Sequence, residues 1–505
     1  MMDRIKKIEE QFLNYVRKMM SYNEAISLMY WDLRTGAPKK GVEQRSEVIG
    51  VLSQEVFKMS TSEEMAAYIA ELSPKDVQEQ LSDITRYTLI ECMKEYDRNK
   101  KIPAEEYKEY VVLQSKAESV WEEAKKNADF SMFQPYLEKL VQFNQKFISY
   151  WGYDGHPYNT LLDLYEPGMT VEILDDVFSR LRQRIVPLVK AIAQSSNKPR
   201  TSFLFTKFPK EKQRELSLML LKELGYDFNA GRLDETVHPF AIGLNPGDVR
   251  ITTKYDENDF RTALFGTIHE CGHALYEQNI SKELVGTPLC SGTSMGIHES
   301  QSLFYENFIG RHYAYWKRNY HLLKEYAPEQ FNHVSLDEFY RAINEAKPSL
   351  IRIEADELTY SLHIMVRYEI EKGLFNGTME VKDLPDIWND KYEEYLGIRP
   401  DNDAVGVLQD VHWAGGSFGY FPSYALGYMY AAQLKNAMVK DLPHFDELLE
   451  KGDLLPIREW LTAKVHCFGK IKKPLEILHE ATGEGLNAEY LISYLEEKYK
   501  AIYQL

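Results

Sequence analysis

Residues 260–279 read FRTALFGTIHECGHALYEQN and contain the pattern His269-Glu270-Cys271-Gly272-His273. Residues four apart share one face of a helix, so the two imidazoles can reach a single metal ion. Glu270 lies one step along the helix and can face a water molecule bound to that ion. The alternative is an ordinary helix with an ion pair. However, the apolar flanks predict a largely buried helix, where these polar groups would be costly without a ligand. The segment therefore predicts a helical fold built around a metal site.

The third metal ligand has to come from outside this segment. One known arrangement places a Gly and a His at set positions after the second His, but Tyr276 and Asn279 occupy those positions here. Another arrangement takes a glutamate from a following helix. Glu299 opens a second helical pattern, and the connection before it is long enough to turn back antiparallel. His298 is a weaker candidate because neighbouring residues on a helix point in different directions.

Glu299 is the best candidate for this third ligand. Glu277 and Glu283 are too close in sequence to the histidines to fold back easily. The alternative for Glu299 is an exposed acid in a first helical turn, where the helix dipole favours it. We predict that zinc binds His269, His273 and Glu299, with a fourth position left open for catalysis.

Helical patterning extends over most of the 505 residues. Good helix formers with apolar residues at three- and four-residue steps occupy residues 1–30, 44–70, 76–98, 104–127, 131–150, 170–194, 210–224, 335–346, 349–374, 423–441 and the part after Pro474. The clearest β signal is in residues 236–256, where two short runs flank an Asn-Pro-Gly-Asp turn. Residues 151–169 and 399–424 are rich in Gly or Pro and predict a joint and a loop. We predict a mostly α fold, with residues 1–505 as a single unit and a small β element near residues 236–256.

Charge and composition exclude several classes of protein. The formal net charge is −17, which argues against a nucleic-acid partner and against an anionic membrane surface. The amino-terminal stretch has no continuous apolar region, and no run approaches the length of a transmembrane helix. The four cysteines form no CxxC pair and no disulfide framework. We therefore expect a cytoplasmic protein with no membrane partner.

Six short motifs follow one another along the chain. They are His238-Pro239-Phe240, Asp248-x-Arg250-x-Thr252, His269-Glu270-x-x-His273, His298-Glu299-Ser300-Gln301, Ile351-Arg352-x-x-Ala355-Asp356 and Gly406-x-x-Gln409-Asp410-x-His412-Trp413. In this order they resemble the carboxypeptidase Taq family of metallocarboxypeptidases. The pair Trp31-Asp32 and the stretch Tyr165-Glu166-Pro167-Gly168-Met169 are also similar to the family. The resemblance covers the chain from about residue 30 to its end.

The resemblance implies properties that the spacing of residues does not. It implies an all-helical fold with a deep central groove, similar to neurolysin and angiotensin-converting enzyme, which can divide into two lobes. It implies stepwise removal of carboxy-terminal residues from peptides with a free carboxyl end, with broad specificity and poor action near proline. It also implies a divalent metal, zinc or else cobalt, and a homodimer.

Two arginines in these motifs are candidates for binding substrate. A carboxypeptidase has to recognise a free carboxylate, and the planar fork of arginine can donate two charge-assisted hydrogen bonds to it. Without the resemblance, an i,i+4 ion pair with Asp356 would be the simpler reading of Arg352. With it, we expect Arg352 to anchor the substrate carboxylate. We expect Arg250 to line the groove, because the family's motif there is associated with limiting substrate length.

The hydrolysis of a peptide bond passes through an oxyanion that a side-chain donor can stabilise. The segment after Asp410 is dense in such donors, and its glycines would let it bend close to a ligand. Related folds use a His and a Tyr downstream of the metal site. We therefore predict this role for His412 and Tyr420, with Tyr424 as the next candidate. His238 is expected beside the groove, although a lone His before a proline is often structural.

These assignments predict a one-step mechanism without a covalent intermediate. Glu270 takes a proton from the metal-activated water and passes it to the leaving amine. One alternative is an oligopeptidase-type metalloendopeptidase, which would use the same ligands but would not need a free carboxyl end. The other is a non-enzymatic helical scaffold with a structural zinc, but such sites usually have four protein ligands and no spare acid like Glu270.

Overall fold

The computed structural model describes residues 2–505, and helices account for most of them. The helices are α1 Met2–Thr35, α2 Val42–Ser60, α3 Glu63–Leu72, α4 Lys75–Gln78, α5 Asp83–Lys101, α6 Ala104–Asn127, α7 Phe130–Trp151, α8 Tyr158–Leu162, α9 Val171–Gln194, α10 Lys210–Leu224, α11 Arg261–Gln278, α12 Met295–Leu303, α13 Tyr313–Tyr326, α14 Pro328–Phe331, α15 Leu336–Ile343, α16 Tyr360–Phe375, α17 Leu384–Leu396, α18 Pro422–Asp441, α19 Phe445–Lys451, α20 Leu455–Lys464, α21 Pro474–Thr482 and α22 Glu489–Tyr503. A π-helical segment, Phe304–Gly310, joins α12 to α13. The prediction of a mostly helical protein is confirmed.

The small β element is a three-stranded sheet. Its strands are β1 Leu233–Glu235, β2 Ala241–Asn245 and β3 Asp248–Thr253, in the order β1-β3-β2. β3 pairs in parallel with β1 and antiparallel with β2, and the Asn245–Asp248 turn joins β2 to β3 as the sequence predicts. β3 packs on α11, where the hydroxyl oxygens of Thr253 and Thr267 lie 2.9 Å apart. The sheet therefore lies directly against the helix that carries the His-Glu-x-x-His pattern.

Buried apolar residues form two clusters. The larger one runs from Tyr110 to Tyr503 along the chain and includes the apolar face of α11. The smaller one lies in the first 100 residues and is built on Phe12, Val16, Met65 and Leu89. Since α11, α12 and α18 all belong to the larger cluster, the helices that carry the predicted metal ligands are fixed by the main core. None of the described helices is long and apolar enough to cross a bilayer.

The helix predicted over residues 349–374 is wrong for the residues before Tyr360. α16 begins only at Tyr360, and the preceding residues are irregular apart from a single 3-10 turn at Arg352–Glu354. The carboxylate of Asp356 accepts hydrogen bonds from the backbone N–H groups of Lys347, Leu358 and Thr359. Such side-chain bonds to the backbone compete with helix formation. The i,i+4 ion pair with Asp356 is therefore also wrong.

Candidate active site

A cavity of about 890 Å³ brings together residues from distant parts of the chain. α11 and α12 supply His269, Glu270, His273 and Glu299 to its wall. The other predicted site residues that line it are His238, Arg352, Tyr420 and Tyr424. Because these residues span almost two hundred positions, only the packing of the helices on one core can place them around one space.

The three predicted metal ligands meet in this cavity. His269, His273 and Glu299 each offer one ligand atom, and these atoms all lie within 4.8 Å of one another. The Glu299 Oε2 atom is 3.4 Å from the Nε2 atom of His273 and 3.7 Å from that of His269. A tetrahedral ion with bonds of about 2.1 Å separates its ligand atoms by roughly 3.4 Å. The donor set and its spacing therefore fit a zinc-sized divalent cation.

The other nitrogen of each ligand histidine has its own partner. The Nδ1 atom of His269 lies 2.9 Å from Glu306, which in turn accepts a hydrogen bond from Arg311. Such outer contacts fix the tautomer and the orientation of a metal-binding imidazole, and here they leave the Nε2 atom for the metal. No motif in the sequence identified Glu306, because it lies in the π-helical segment, where helical spacing does not apply.

A second chain of contacts begins at the other ligand histidine. The Nδ1 atom of His273 lies 2.7 Å from Nδ1 of His298, and Nε2 of His298 lies 2.9 Å from Glu277. In the sequence, His298 and Glu277 were weaker candidates for the metal itself. In the structure, His298 contacts the ligand candidate His273, and Glu277 contacts His298. His298 can make these contacts because it lies on the side of α12 that faces α11.

Burial and charge shift the pKa values of these groups in opposite directions. Burial lowers the pKa of His273 to about 4. For His269 the effect of burial is outweighed by Glu299 and Glu306, which raise its pKa to about 10. A cation bound between the imidazoles would displace that proton, because metal binding needs the neutral ring. Burial also raises the pKa of Glu270 to about 7.

Close packing between α12 and α18 fixes Glu299, the predicted third ligand. A Cβ atom added to Gly427 on α18 would lie 2.7 Å from Cβ of Glu299, so the two helices approach at this glycine. The Ser294 side chain caps α12 by accepting the N–H of Ile297. Ser302 donates its hydroxyl to the Glu299 carboxylate at 3.2 Å. The glutamate therefore has little freedom to turn away from the histidines.

Arg352 lies in the cavity wall and is held by a buried ion-pair network. Its Nε and Nη2 atoms are each 2.9 Å from the same oxygen of Asp410, and Nη1 donates to the Tyr360 hydroxyl at 3.1 Å. Asp410 also accepts from Nε of Arg367 at 2.7 Å. The two arginines keep the pKa of the Asp410 carboxyl well below its usual range, although burial alone would raise it. The sequence motifs contained both Arg352 and Asp410 but did not show that they pair.

The predicted oxyanion donors lie side by side. Tyr420 and Tyr424 line the cavity, and their rings are 5.3 Å apart. His412 is not among the lining residues, but its Nε2 atom lies 3.3 Å from the Tyr424 hydroxyl. Burial, assisted by Arg352, lowers the pKa of His412 to about 4. His412 therefore reaches the cavity through Tyr424, as a neutral imidazole.

Arg250 is not among the residues that line this cavity, although its strand neighbour Ile242 is. It lies on the central strand β3 and makes two hydrogen bonds to Asp248, with its guanidinium 5.7 Å from the centre of the Trp31 ring. It lines a separate cavity of about 750 Å³ together with Trp31 and Asp32. Arg250 therefore lines a cavity beside Trp31, held there by its pairing with Asp248, and its role in the groove stays a prediction.

Known proteins that are similar to this chain identify its family. A family model described as carboxypeptidase Taq (M32) metallopeptidase matches residues 11–499. The chain belongs to this M32 family. It is 61% identical over 501 residues to a Bacillus subtilis protein named carboxypeptidase 1, with 99% of this chain and 100% of the relative covered. A Thermus thermophilus protein named thermostable carboxypeptidase 1 is 40% identical, with 98% of both chains covered.

Solved structures agree with the family assignment. The crystal structure of an M32 carboxypeptidase from Deinococcus radiodurans R1 matches with a TM-score of 0.95 and 35% identity, covering 99% of this chain and 100% of that one. As an M32 protein, the chain is a metallocarboxypeptidase, that is, a peptide hydrolase. These relatives do not favour the alternative of an endopeptidase, and a non-enzymatic scaffold is excluded.

Proposed function

We propose that the chain hydrolyses the last peptide bond of peptides with a free carboxyl end, using a divalent metal held by His269, His273 and Glu299. The observation that carries this proposal is that one cavity contains the three ligand atoms, the spare acid Glu270 and the Arg352 guanidinium, which uses three of its five N–H donors on Asp410 and Tyr360. Binding of the terminal carboxylate by Arg352 would bring the last peptide bond, rather than an internal one, to the metal.

Each of the proposed residues has a separate task in this reaction. A bound divalent ion supplies Lewis acidity, which polarises the scissile carbonyl and lowers the pKa of a water molecule. Glu270 removes a proton from that water and delivers it to the leaving amine. The hydroxyl of Tyr420 or Tyr424 donates to the oxyanion, and His412 orients the second of these hydroxyls. His238 lines the same cavity and would contact the substrate beyond the reacting bond.

Zinc is the metal that we propose, with cobalt as the alternative. Two imidazole nitrogens and one carboxylate oxygen are a common set of ligands for catalytic zinc, and the spacing of the donor atoms suits tetrahedral geometry. On the basis of the family resemblance, we also propose that each chain has two lobes flanking its groove. On the same basis, we propose that two chains form a homodimer. A cytoplasmic location is supported by the free thiols of the four cysteines, since all four lie in the described residues and none is paired.

The experiment that tests the activity uses one peptide in two forms. The amino end is blocked in both, and the carboxyl end is free in one and amidated in the other. We expect mass spectrometry to show a ladder that loses one residue at a time from the free form only, and we expect a chelator to abolish it. The Glu270→Gln variant, loaded with the same metal, is the matched control for contaminating peptidases. Internal cleavage of both forms would contradict the proposal and would indicate an endopeptidase.

A further inference from the structure

The stretch Tyr165–Met169 is a motif for which the reaction gives no role. It follows α8 and lies against the start of α12, the helix that carries Glu299. The backbone carbonyl of Tyr165 accepts the N–H of Met295 at 3.0 Å. The carboxylate of Glu166 accepts the N–H of Gly296 at 2.8 Å. Two of the first backbone donors of α12 are therefore bonded to this motif rather than to water.

Glu166 connects three separate elements through one buried carboxylate. Only 1% of Glu166 is exposed. Besides Gly296, it accepts the hydroxyl of Ser294 at 3.0 Å and the hydroxyl of Tyr430 at 2.9 Å. Ser294 is the residue that caps α12, and Tyr430 belongs to α18. Burial raises the pKa of Glu166 to about 7, and in its ionised form the carboxylate interacts favourably with the helix dipole.

The start of α12 is seated tightly on this carboxylate. A Cβ atom added to Gly296 would lie 2.5 Å from Oε2 of Glu166, and 3.0 Å from the ring of Tyr430. α12 has only nine residues, and Glu299 is the fifth of them. Short helices depend on contacts at their ends for stability. A shift of the first turn would therefore move Glu299 relative to the two histidines on α11.

We propose that Glu166 is a positioning residue for the metal ligand Glu299, acting through the first turn of α12. The proposal rests on the metal ligands proposed above. This role differs from a general contribution to stability, because loss of Glu166 would displace one metal ligand, Glu299, rather than weaken the whole fold. A metal site tolerates errors of only about 0.5 Å in ligand position, so loss of the anchor weakens metal binding even in a folded protein.

The test compares Glu166→Ala with two further variants. Glu166→Gln keeps the volume, its amide oxygen can accept the N–H of Gly296, and its amide nitrogen can donate to the Ser294 and Tyr430 hydroxyls. Glu223→Ala is the matched control, because Glu223 also accepts three hydrogen bonds, all from side chains, but lies on α10, outside the cavity. The metal dissociation constant is measured with Zn²⁺ against a chromophoric chelator. Hydrogen exchange of the metal-free protein reports on residues 295–299.

We expect Glu166→Ala to raise the dissociation constant for Zn²⁺ by about tenfold or more, and to speed exchange at the start of α12. Glu166→Gln should stay within about threefold of the parent, and Glu223→Ala should leave metal binding unchanged even if it lowers the melting temperature. Equal weakening by Glu166→Ala and Glu223→Ala, or none by Glu166→Ala, would overturn the proposal.

A second pair of variants covers the case in which Glu166→Ala does not fold. Gly296→Ala forces a methyl group against the Glu166 carboxylate, whereas Gly50→Ala adds a methyl to α2 in open space. Only the first should weaken Zn²⁺ binding, and unchanged binding in Gly296→Ala would refute the role of the anchor. If Glu299→Ala still binds Zn²⁺ tightly, it is the proposed ligand set that fails, which is a different result.

Discussion

The clearest quantitative prediction concerns Arg352. A guanidinium group has five N–H donors. The structure uses three of those on Arg352, two for Asp410 and one for Tyr360. The two that remain can form a bidentate pair with the carboxylate of a substrate. Hydrogen bonds to charged groups contribute about 1.5–3 kcal/mol each, so Arg352→Ala should lose about 3–6 kcal/mol of transition-state binding. That loss lowers kcat/KM by about 10²- to 10⁴-fold.

The substitution should leave the fold intact. Asp410 keeps an arginine partner when Arg352 is removed, because Arg367 donates to its other oxygen. The buried carboxylate is therefore not left unpaired, which is the usual cause of severe destabilisation in such networks. Arg341→Ala provides a control, because Arg341 holds Asn197 and the backbone carbonyl of Ile502 and does not line the cavity.

The assay measures kcat/KM for one peptide with a free and with an amidated carboxyl end. In the parent, the free form should react far faster. In Arg352→Ala, the free form should lose the stated factor while the slow rate of the amide stays nearly unchanged, so the ratio between the two collapses. Arg341→Ala should keep the ratio. If Arg352→Ala still prefers the free carboxylate as strongly as the parent, another group binds it and the reasoning fails.

Three other variants test the proposed base Glu270, the proposed ligand Glu299 and the buried carboxyl group of Glu371. Glu270→Gln should keep one metal per chain, as measured by elemental analysis, while kcat falls by about 10²- to 10⁴-fold because the proton acceptor is gone. Glu299→Ala should lose tight stoichiometric zinc in equilibrium dialysis, and retention of such binding would assign the third ligand elsewhere. Burial raises the pKa of Glu371 from 4.5 to about 7. The folded state thus binds its proton more tightly than the unfolded chain, so this stabilisation is complete below about pH 4.5 and lost as pH rises to about 7. Compared with Glu371→Gln, the parent should lose about 3 kcal/mol of unfolding free energy across that range in urea titrations, and parallel curves would contradict this.

The sequence was sufficient to predict most of the helices and the three residues whose ligand atoms meet in the cavity, while their binding of a metal stays a prediction. Helical spacing gave the shared face of His269 and His273, and the open connection after α11 allowed Glu299 to return to them. These are local properties, which one helix or one turn decides. The same holds for the sheet, because a β-branched run after an Asn-Pro-Gly-Asp turn has few other structures.

The contacts around the site could not be predicted, for a physical reason. Glu306 reaches His269 only because the chain leaves α-helical geometry at Phe304, and no helical pattern describes a π-helical segment. Arg352 pairs with Asp410 across a separation of 58 residues. Tertiary packing alone decides such pairs. Asp356, the alternative partner one turn away, instead accepts hydrogen bonds from backbone amides.

Arg250 and His412 show that a sequence motif and the tertiary contacts of a residue give different information about its place relative to the substrate. Both residues belong to the family motifs and were predicted to act at the groove. Neither is among the residues that line the cavity of the metal-ligand candidates. Arg250 is paired with Asp248 and lines the cavity beside Trp31, next to the strand β2 that lines the cavity of the metal-ligand candidates. His412 contacts the hydroxyl of Tyr424, which lies between it and the groove. The loop that carries His412 is fixed by Glu371, which accepts the indole N–H of Trp413 and the backbone N–H of Gly419. A motif therefore marks a residue as part of the site, but the buried partners of that residue decide whether it can touch the substrate.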